Sequence, residues 1–132
     1  YCVEPPAAMR CARVVGGTKD PELAAIVALA PDAVLVNQEE NRKVDVDALH
    51  AAGLPVIVTF PRQVADVPAL LDLLGGLVDA GKAARAYGDA VRAALAAGRP
   101  SRQRRVFCPI WRNPWMTFNR DTFAHDLLDW CG

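Results

Sequence analysis

Serine is nearly missing from this sequence: Ser101 is the one instance, set between Pro100 and Arg102. No nucleophile elbow of the Gly-x-Ser-x-Gly type can be built from it, so serine catalysis is excluded for the residues present. No run of about 18 apolar residues occurs either, and nothing here spans a bilayer as a helix. The Gly-Lys-Ser/Thr ending of a P-loop and the Gly-x-Gly-x-x-Gly spacing are both absent. Gly16-Gly17-Thr18, before a helical stretch, comes nearest to a phosphate-binding turn and has neither feature. An excess of one charge is lacking too. Fifteen Lys and Arg balance 15 Asp and Glu, so no global field draws the protein to nucleic acid or to an anionic membrane.

Four cysteines are present, at Cys2, Cys11, Cys108 and Cys131, but their spacing matches neither a CxxC pair nor a zinc ribbon. Cys108 lies in an apolar run and reads as a buried small hydrophobe. Cys2 and Cys11 are close enough in sequence to meet in a loop, and spacing alone does not establish a disulfide. His50 and His125 fall in helical stretches as surface residues. Asp121 or Asp129 stands at helical spacing from His125, where a salt link accounts for the pairing as well as a metal would. Arg99, Arg102, Arg104 and Arg105 crowd a stretch with Gly98, Pro100 and Ser101, which reads as a solvated linker rather than a phosphate-contacting patch.

Along the chain, Arg13-Val14-Val15 is a short strand candidate ending at Gly16-Gly17. Asp20-Pro21-Glu22 then predicts a helix start, with Asp20 as N-cap and Pro21 at the first helical position. Pro31 ends that helix. Residues 33–36 and 55–60 are continuous apolar runs, expected as strands buried on both faces. A helix over residues 46–52 is expected between them, stopped by Gly53. The first sixty residues thus read strand, helix, strand, helix, strand, with parallel pairing. From 64 to 97 the pattern is helical, with a break near residues 79–81. Laid end to end, the two pieces would reach roughly 45–50 Å. Residues 105–110 read as a further strand, followed by an aromatic loop and a last helix capped by Asp121, with Phe123, Leu127 and Trp130 on one face. The chain begins at Tyr1 rather than at Met and stops just after this helix, so a piece of a longer protein is expected. Its localisation is not readable from this N-terminus.

These residues resemble a known family. The run Gly16-Gly17-Thr18-Lys19-Asp20-Pro21, followed by Ile26-Val27-Ala28-Leu29-Ala30-Pro31-Asp32-Ala33-Val34-Leu35-Val36, is similar to the signature block of the helical-backbone (class III) periplasmic binding proteins, the cobalamin- and metal-chelate-binding type of ABC importers. Ala51-Ala52-Gly53-Leu54-Pro55-Val56 resembles the family's "G-I-P-V" lead into its next strand. Arg105-Val106-Phe107, Asn113-Pro114-Trp115-Met116-Thr117 and Asp121-Thr122-Phe123 resemble the opening of its second lobe. The likeness implies an α/β fold of two Rossmann-like lobes joined by a long backbone helix. The chain would then be a partial first lobe (1–62), the linking helix (63–98) and the start of the second lobe (99–132). It further implies a ligand such as cobalamin, haem or a ferric siderophore, an ABC permease as partner, and a periplasmic or cell-surface lipoprotein location. One departure bears on the permease. Where family members carry a docking glutamate two residues before Ile26, this chain has Ala24, and Glu22 lies a further two residues back, roughly 200° around a helix axis.

Candidate binding residues follow from strand ends, where open α/β folds place ligands. Trp111, Arg112, Trp115 and Met116 form the densest group. Flat rings suit a corrin or porphyrin, and a guanidinium suits a propionate, amide or phosphate. Packing beneath the second lobe is the other role open to Trp115 and Met116. The polar loop Asn37-Gln38-Glu39-Glu40-Asn41-Arg42 follows one parallel strand, and Phe60, Pro61 and Arg62 end the next; ligand contact and plain solvation both fit them. Tyr1 joins the set as part of the loop before the signature block. The leading expectation is a solute-binding protein and not an enzyme, with no covalently bound cofactor and no metal site. Alternatives are a soluble α/β enzyme or nucleotide-binding domain, and a cytoplasmic stand-alone binding module without a permease. Alone, the chain is expected to be poorly soluble, because an unfinished lobe exposes apolar surface.

Overall fold

The structure is a computed structural model that describes residues 5–132. Tyr1 and Cys2, and with Cys2 the question of its pairing with Cys11, lie outside the described residues. The chain divides into two compact units, the first ending at Phe60 and the second comprising Pro61–Gly132.

In the first unit a short helix, α1 (Pro6–Met9), precedes a tight hairpin of β1 (Gly16–Gly17) and β2 (Asp20–Pro21) in antiparallel pairing. The strand expected at residues 13–15 does not form, and Val14 is exposed. The chain reverses here instead. Gly16 adopts a φ of 91°, and a Cβ at that position would run into the Asp20 carbonyl. Only glycine meets both conditions at little cost. Asp20 and Pro21 are therefore spent on the hairpin and do not cap a helix. The missing N–H of Pro21 is tolerated at the end of so short a ladder. Helix α2 (Leu23–Leu29) starts later, with Glu22 at its N-cap and no side-chain cap bond. It stops at Ala30, in the left-handed region just before Pro31.

The body of this unit is a strand–helix–strand element: β3 (Val34–Asn37), α3 (Lys43–Ala51) and β4 (Val56–Thr59). The strands pair in parallel, Val34 opposite Val56 and Asn37 opposite Thr59, as the apolar runs lead one to expect. Helix α3 begins earlier than its apolar positions indicate. Its first turn is supported by charge: Arg42 chelates Asp45 at 2.8 and 3.0 Å, and Lys43 pairs with Asp47 at 2.7 Å. The strands are not buried on both faces, since Leu35 and Val58 are each about half exposed. Two strands with helices α2 and α3 beside them cannot enclose both faces. The core is correspondingly small: among the described residues of this unit, Ile26, Val36 and Leu49 are the buried apolar ones. Leu49, 3% exposed, is the best enclosed. Leu49→Ala is expected to cost about 2–3 kcal/mol in urea denaturation; a loss below about 0.5 kcal/mol would place Leu49 outside the core.

The second unit is helical. A 3₁₀ turn (Val64–Asp66) leads into α4 (Val67–Leu77), and α5 (Gly81–Ala96) and α6 (Phe123–Cys131) follow. The expected break falls at residues 78–80, but the two helices are not laid end to end. Helix α5 folds back along α4 and reaches the 3₁₀ turn at its start. Small residues permit this approach. Pro68 and Gly75 are buried on α4, Ala84 and Gly88 on α5. By itself α5 is about 24 Å long, roughly half the collinear span.

Helix α6 is tied to the start of the unit by Asp126, whose Oδ2 accepts from the Val64 N–H at 2.7 Å. Its N-cap is Thr122, not Asp121: the Thr122 hydroxyl oxygen accepts from the His125 N–H at 3.3 Å. Asp121 faces Arg62 at 3.6 Å, and Asp129 is ion-paired with Arg99, so neither carboxylate is committed to His125. Arg99 also lies 4.9 Å from the Trp130 ring centre. This arginine is a clamp on α6 rather than part of a solvated linker. Residues 105–110 form no strand ladder, and Val106, Phe107 and Ile110 are exposed. An extended run becomes a strand only where another backbone completes its hydrogen bonds. Cys108 is accordingly half-buried rather than enclosed, and Cys11, Cys108 and Cys131 form no disulfide with one another. Among the described residues no helix is long and apolar enough to cross a membrane.

Candidate functional site

The first unit gathers three of the expected residues at the carboxyl ends of its parallel strands. Asn37 closes β3 opposite Thr59. The Gln38 N–H donates to the Thr59 carbonyl at 2.9 Å, which sets Gln38 beside the chain as it passes into Phe60. Phe60 is 39% exposed. A groove of about 430 Å³ opens at this end, with Val36 and Val58 on its floor and Asn37, Gln38, Asn41 and Lys43 on its polar side. An apolar floor with a few convergent polar groups is the usual make-up of a small-molecule site.

The loop after β3 is built by its own amides. The Asn37 Oδ1 accepts from the Glu39 N–H at 2.9 Å, and the Asn41 Oδ1 accepts from the Asn37 N–H at 2.9 Å. Asn37 therefore spends its side-chain oxygen on the loop. Two contacts tie this loop to the hairpin turn at Thr18 and Lys19. Asn41 Nδ2 donates to the Thr18 carbonyl at 3.2 Å, and Lys19 Nζ donates to the Glu39 carbonyl at 2.6 Å. Asn41 belongs to the polar loop that the sequence marks, without a role of its own, and Lys19 is not marked as a site residue. The bonds join residues 23 and 20 positions apart, and no local pattern encodes them. Gly16-Gly17-Thr18 thus serves this hairpin, not a helix start with a phosphate turn. At the far end of the loop, the hydrogen bonds to Asp45 and its charge hold the Arg42 guanidinium pKa above its ordinary value.

In the second unit the four remaining candidates share one turn. Trp111 and Met116 bridge antiparallel, with the Ile110 N–H donating to the Met116 carbonyl at 2.9 Å and the Met116 N–H to the Trp111 carbonyl at 3.1 Å. Between them the Asn113-Pro114 bond is cis, and Asn113 has a φ of 64°. Asparagine is among the few side chains that tolerate that region. Thr117 secures the base through its hydroxyl, which donates to the Cys108 carbonyl at 2.8 Å. The turn carries its aromatic groups outward. Trp111 and Trp115 are each 64% exposed and Met116 is 50% exposed, so Trp115 and Met116 do not pack inside this unit. Arg112 lies 5.9 Å from the Trp115 ring centre, the outer edge of a cation–π contact.

A second cleft of the unit, about 390 Å³, is lined by Arg62, Arg120, Asp66, Asp121 and Asp126 among others. Its carboxylates are already engaged: Asp66 accepts from the Arg62 and Gln63 N–H groups, Asp121 faces Arg62, and Asp126 holds the Val64 N–H. That cleft is structural bracing. No group of three or more His, Cys, Asp or Glu side chains is placed to hold a metal ion among the described residues.

No family model matches the sequence, and no curated protein matches it. Solved structures do. The periplasmic vitamin B12-binding protein BtuF of Vibrio cholerae superposes with a TM-score of 0.79 at 16% identity, over 98% of this chain and 52% of that one. A periplasmic heme-binding protein from Pseudomonas aeruginosa matches with a TM-score of 0.59 at 21% identity, over 71% of this chain and 34% of that one. The periplasmic heme-binding protein BhuT, in complex with two hemes, matches with a TM-score of 0.56 at 27% identity, over 75% of this chain and 40% of that one. The chain thus has the α/β fold of the class III periplasmic vitamin B12- and heme-binding proteins, at low sequence identity, and spans about half the length of the vitamin B12-binding protein it matches.

Proposed function

We propose that the protein is a solute-binding protein that captures a cobalamin-like or metal-chelate ligand between two lobes for delivery to an ABC importer, and that it performs no chemistry. The observation that carries this reading is the outward-facing pair Trp111 and Trp115, with Arg112 beside them, on a chain of this fold. Exposed indole faces are costly unless something flat covers them, and a corrin, porphyrin or siderophore chelate does so. In this reading Trp111, Arg112, Trp115, Met116, Asn37, Gln38, Phe60 and Tyr1 are the residues that contact the ligand. Residues 63–98 supply the link between lobes, and the protein works in the periplasm or as a cell-surface lipoprotein.

The test is direct. The complete natural polypeptide, titrated with hydroxocobalamin, haemin and a ferric siderophore, is expected to bind at least one with a dissociation constant in the micromolar range or tighter, read from visible absorption or calorimetry. No spectral change and no heat across the three would end this reading.

One observation favours a variant of it, a binding module that works without a permease. Ala24 takes the place of the family's docking glutamate on α2, and Glu22 sits at the N-cap before the helix rather than on its surface. Recovery of the intact permease complex from detergent-solubilised membranes separates the two: co-purification supports the importer, and none supports the module.

A further inference from the structure

We infer that Asn41 is the positioning residue of the ligand-facing edge in the first unit, locking the Thr18–Lys19 turn and the 37–42 loop into one body. This deepens the proposed function and rests on its placing of the ligand at the strand ends.

The geometry is specific to that side chain. Asn41 uses both ends of its amide: Oδ1 accepts from the Asn37 N–H inside its own loop, and Nδ2 donates to the Thr18 carbonyl across the gap. Lys19 closes the same gap in the other direction, giving one N–H to the Glu39 carbonyl and keeping two for other acceptors. Lys19 and the 37–42 loop are therefore held together, and the lysine adds a cation to an edge whose other charged groups, Lys43 and Asp47, are paired with each other. Ordering such loops before the ligand arrives removes part of the entropy cost of binding. Both clips lie on exposed groups, so they contribute little to global stability. Their effect falls on loop order and affinity.

Two substitutions divide the roles. Asn41→Asp keeps the acceptor for Asn37 N–H and removes the donor to Thr18; Asn41→Ala removes both. In ¹⁵N relaxation of the ligand-free complete polypeptide, Thr18 and Lys19 are expected to have order parameters near 0.85 in the native protein. In either variant the expected value falls below about 0.6. The thermal midpoint should move by no more than about 2 °C. Hydroxocobalamin or haemin, whichever the native protein binds, should bind either variant about three- to tenfold more weakly, and Lys19→Met should add little on top of Asn41→Ala because both break the same joint. Unchanged order parameters in the two Asn41 variants would overturn the inference, as would looser loops with unchanged affinity. A native protein that binds neither probe overturns the proposed function instead. In that case the relaxation result alone decides whether Asn41 locks the two loops.

Discussion

Gly75→Ala is expected to destabilise the protein by about 1–3 kcal/mol, whereas Gly76→Ala, one residue along the same helix, should stabilise it by about 0.5–1 kcal/mol. The intrinsic preference is the same at both positions, since alanine loses less entropy in a helix than glycine. Packing decides the sign. A Cβ at Gly76 meets nothing within 4 Å, whereas one at Gly75 overlaps the Ala84 side chain and comes within 3.3 Å of the Gly81 Cα and 3.4 Å of the Ala80 carbonyl oxygen. Backbone atoms cannot step aside as a flexible side chain does, so α4 and α5 must separate. The exchange Gly75→Ala with Ala84→Gly moves the methyl across the contact and should recover most of the loss. Urea denaturation of the three variants checks this. Equal effects at 75 and 76 would mean that the helices do not touch where the structure places them.

Trp111→Ala and Trp115→Ala are each expected to weaken the ligand that the native protein binds by about thirtyfold, the effect of about 2 kcal/mol for an aromatic anchor. Both rings are mostly exposed, so their loss should leave the urea midpoint nearly unchanged. Trp130 is the control. It is half-buried on α6 beneath Arg99, and Trp130→Ala should lower stability while leaving affinity within about twofold. Arg112→Ala should matter more for haemin, whose propionates offer a carboxylate, than for hydroxocobalamin. Absorption titration and urea denaturation run on the same four proteins separate binding from folding. If Trp111→Ala and Trp115→Ala both bind as tightly as the native chain, the aromatic turn is not the ligand surface.

The candidate site was only partly legible. Strand ends identify Asn37, Gln38 and Phe60 because the position of a strand's carboxyl end follows from where its apolar run stops. The structure brings these three together by parallel register. Trp111, Arg112, Trp115 and Met116 are adjacent in sequence, so their sharing a turn was close to certain; that they face outward was not. The cross-gap bonds of Asn41 and Lys19 are not legible, although Asn41 lies in the expected polar loop, because their partners are 23 and 20 residues away. Asp121 misled for a local reason. Asp, Asn and Thr are all good caps, and residues 119–122 contain Asn119, Asp121 and Thr122. The Asn119 side chain turns the Asp121 N–H inward, leaving Thr122 to cap the helix.

By itself the sequence determined the alternation of apolar runs and helical stripes, and with it the parallel pair of strands, the long helical middle and the likeness to one family of folds. Those features follow from which side of an element each residue faces, a property set within a few neighbours. Tertiary structure alone decided that the helical middle folds back on itself, that residues 13–15 yield to a glycine hairpin, that 105–110 form no strand ladder and that Arg99 grips α6. Each of these depends on whether a distant surface is present and close enough to accept a hydrogen bond or a methyl group. Gly75 lies against Ala84 because both are small, and no periodicity within either helix states that the two must meet.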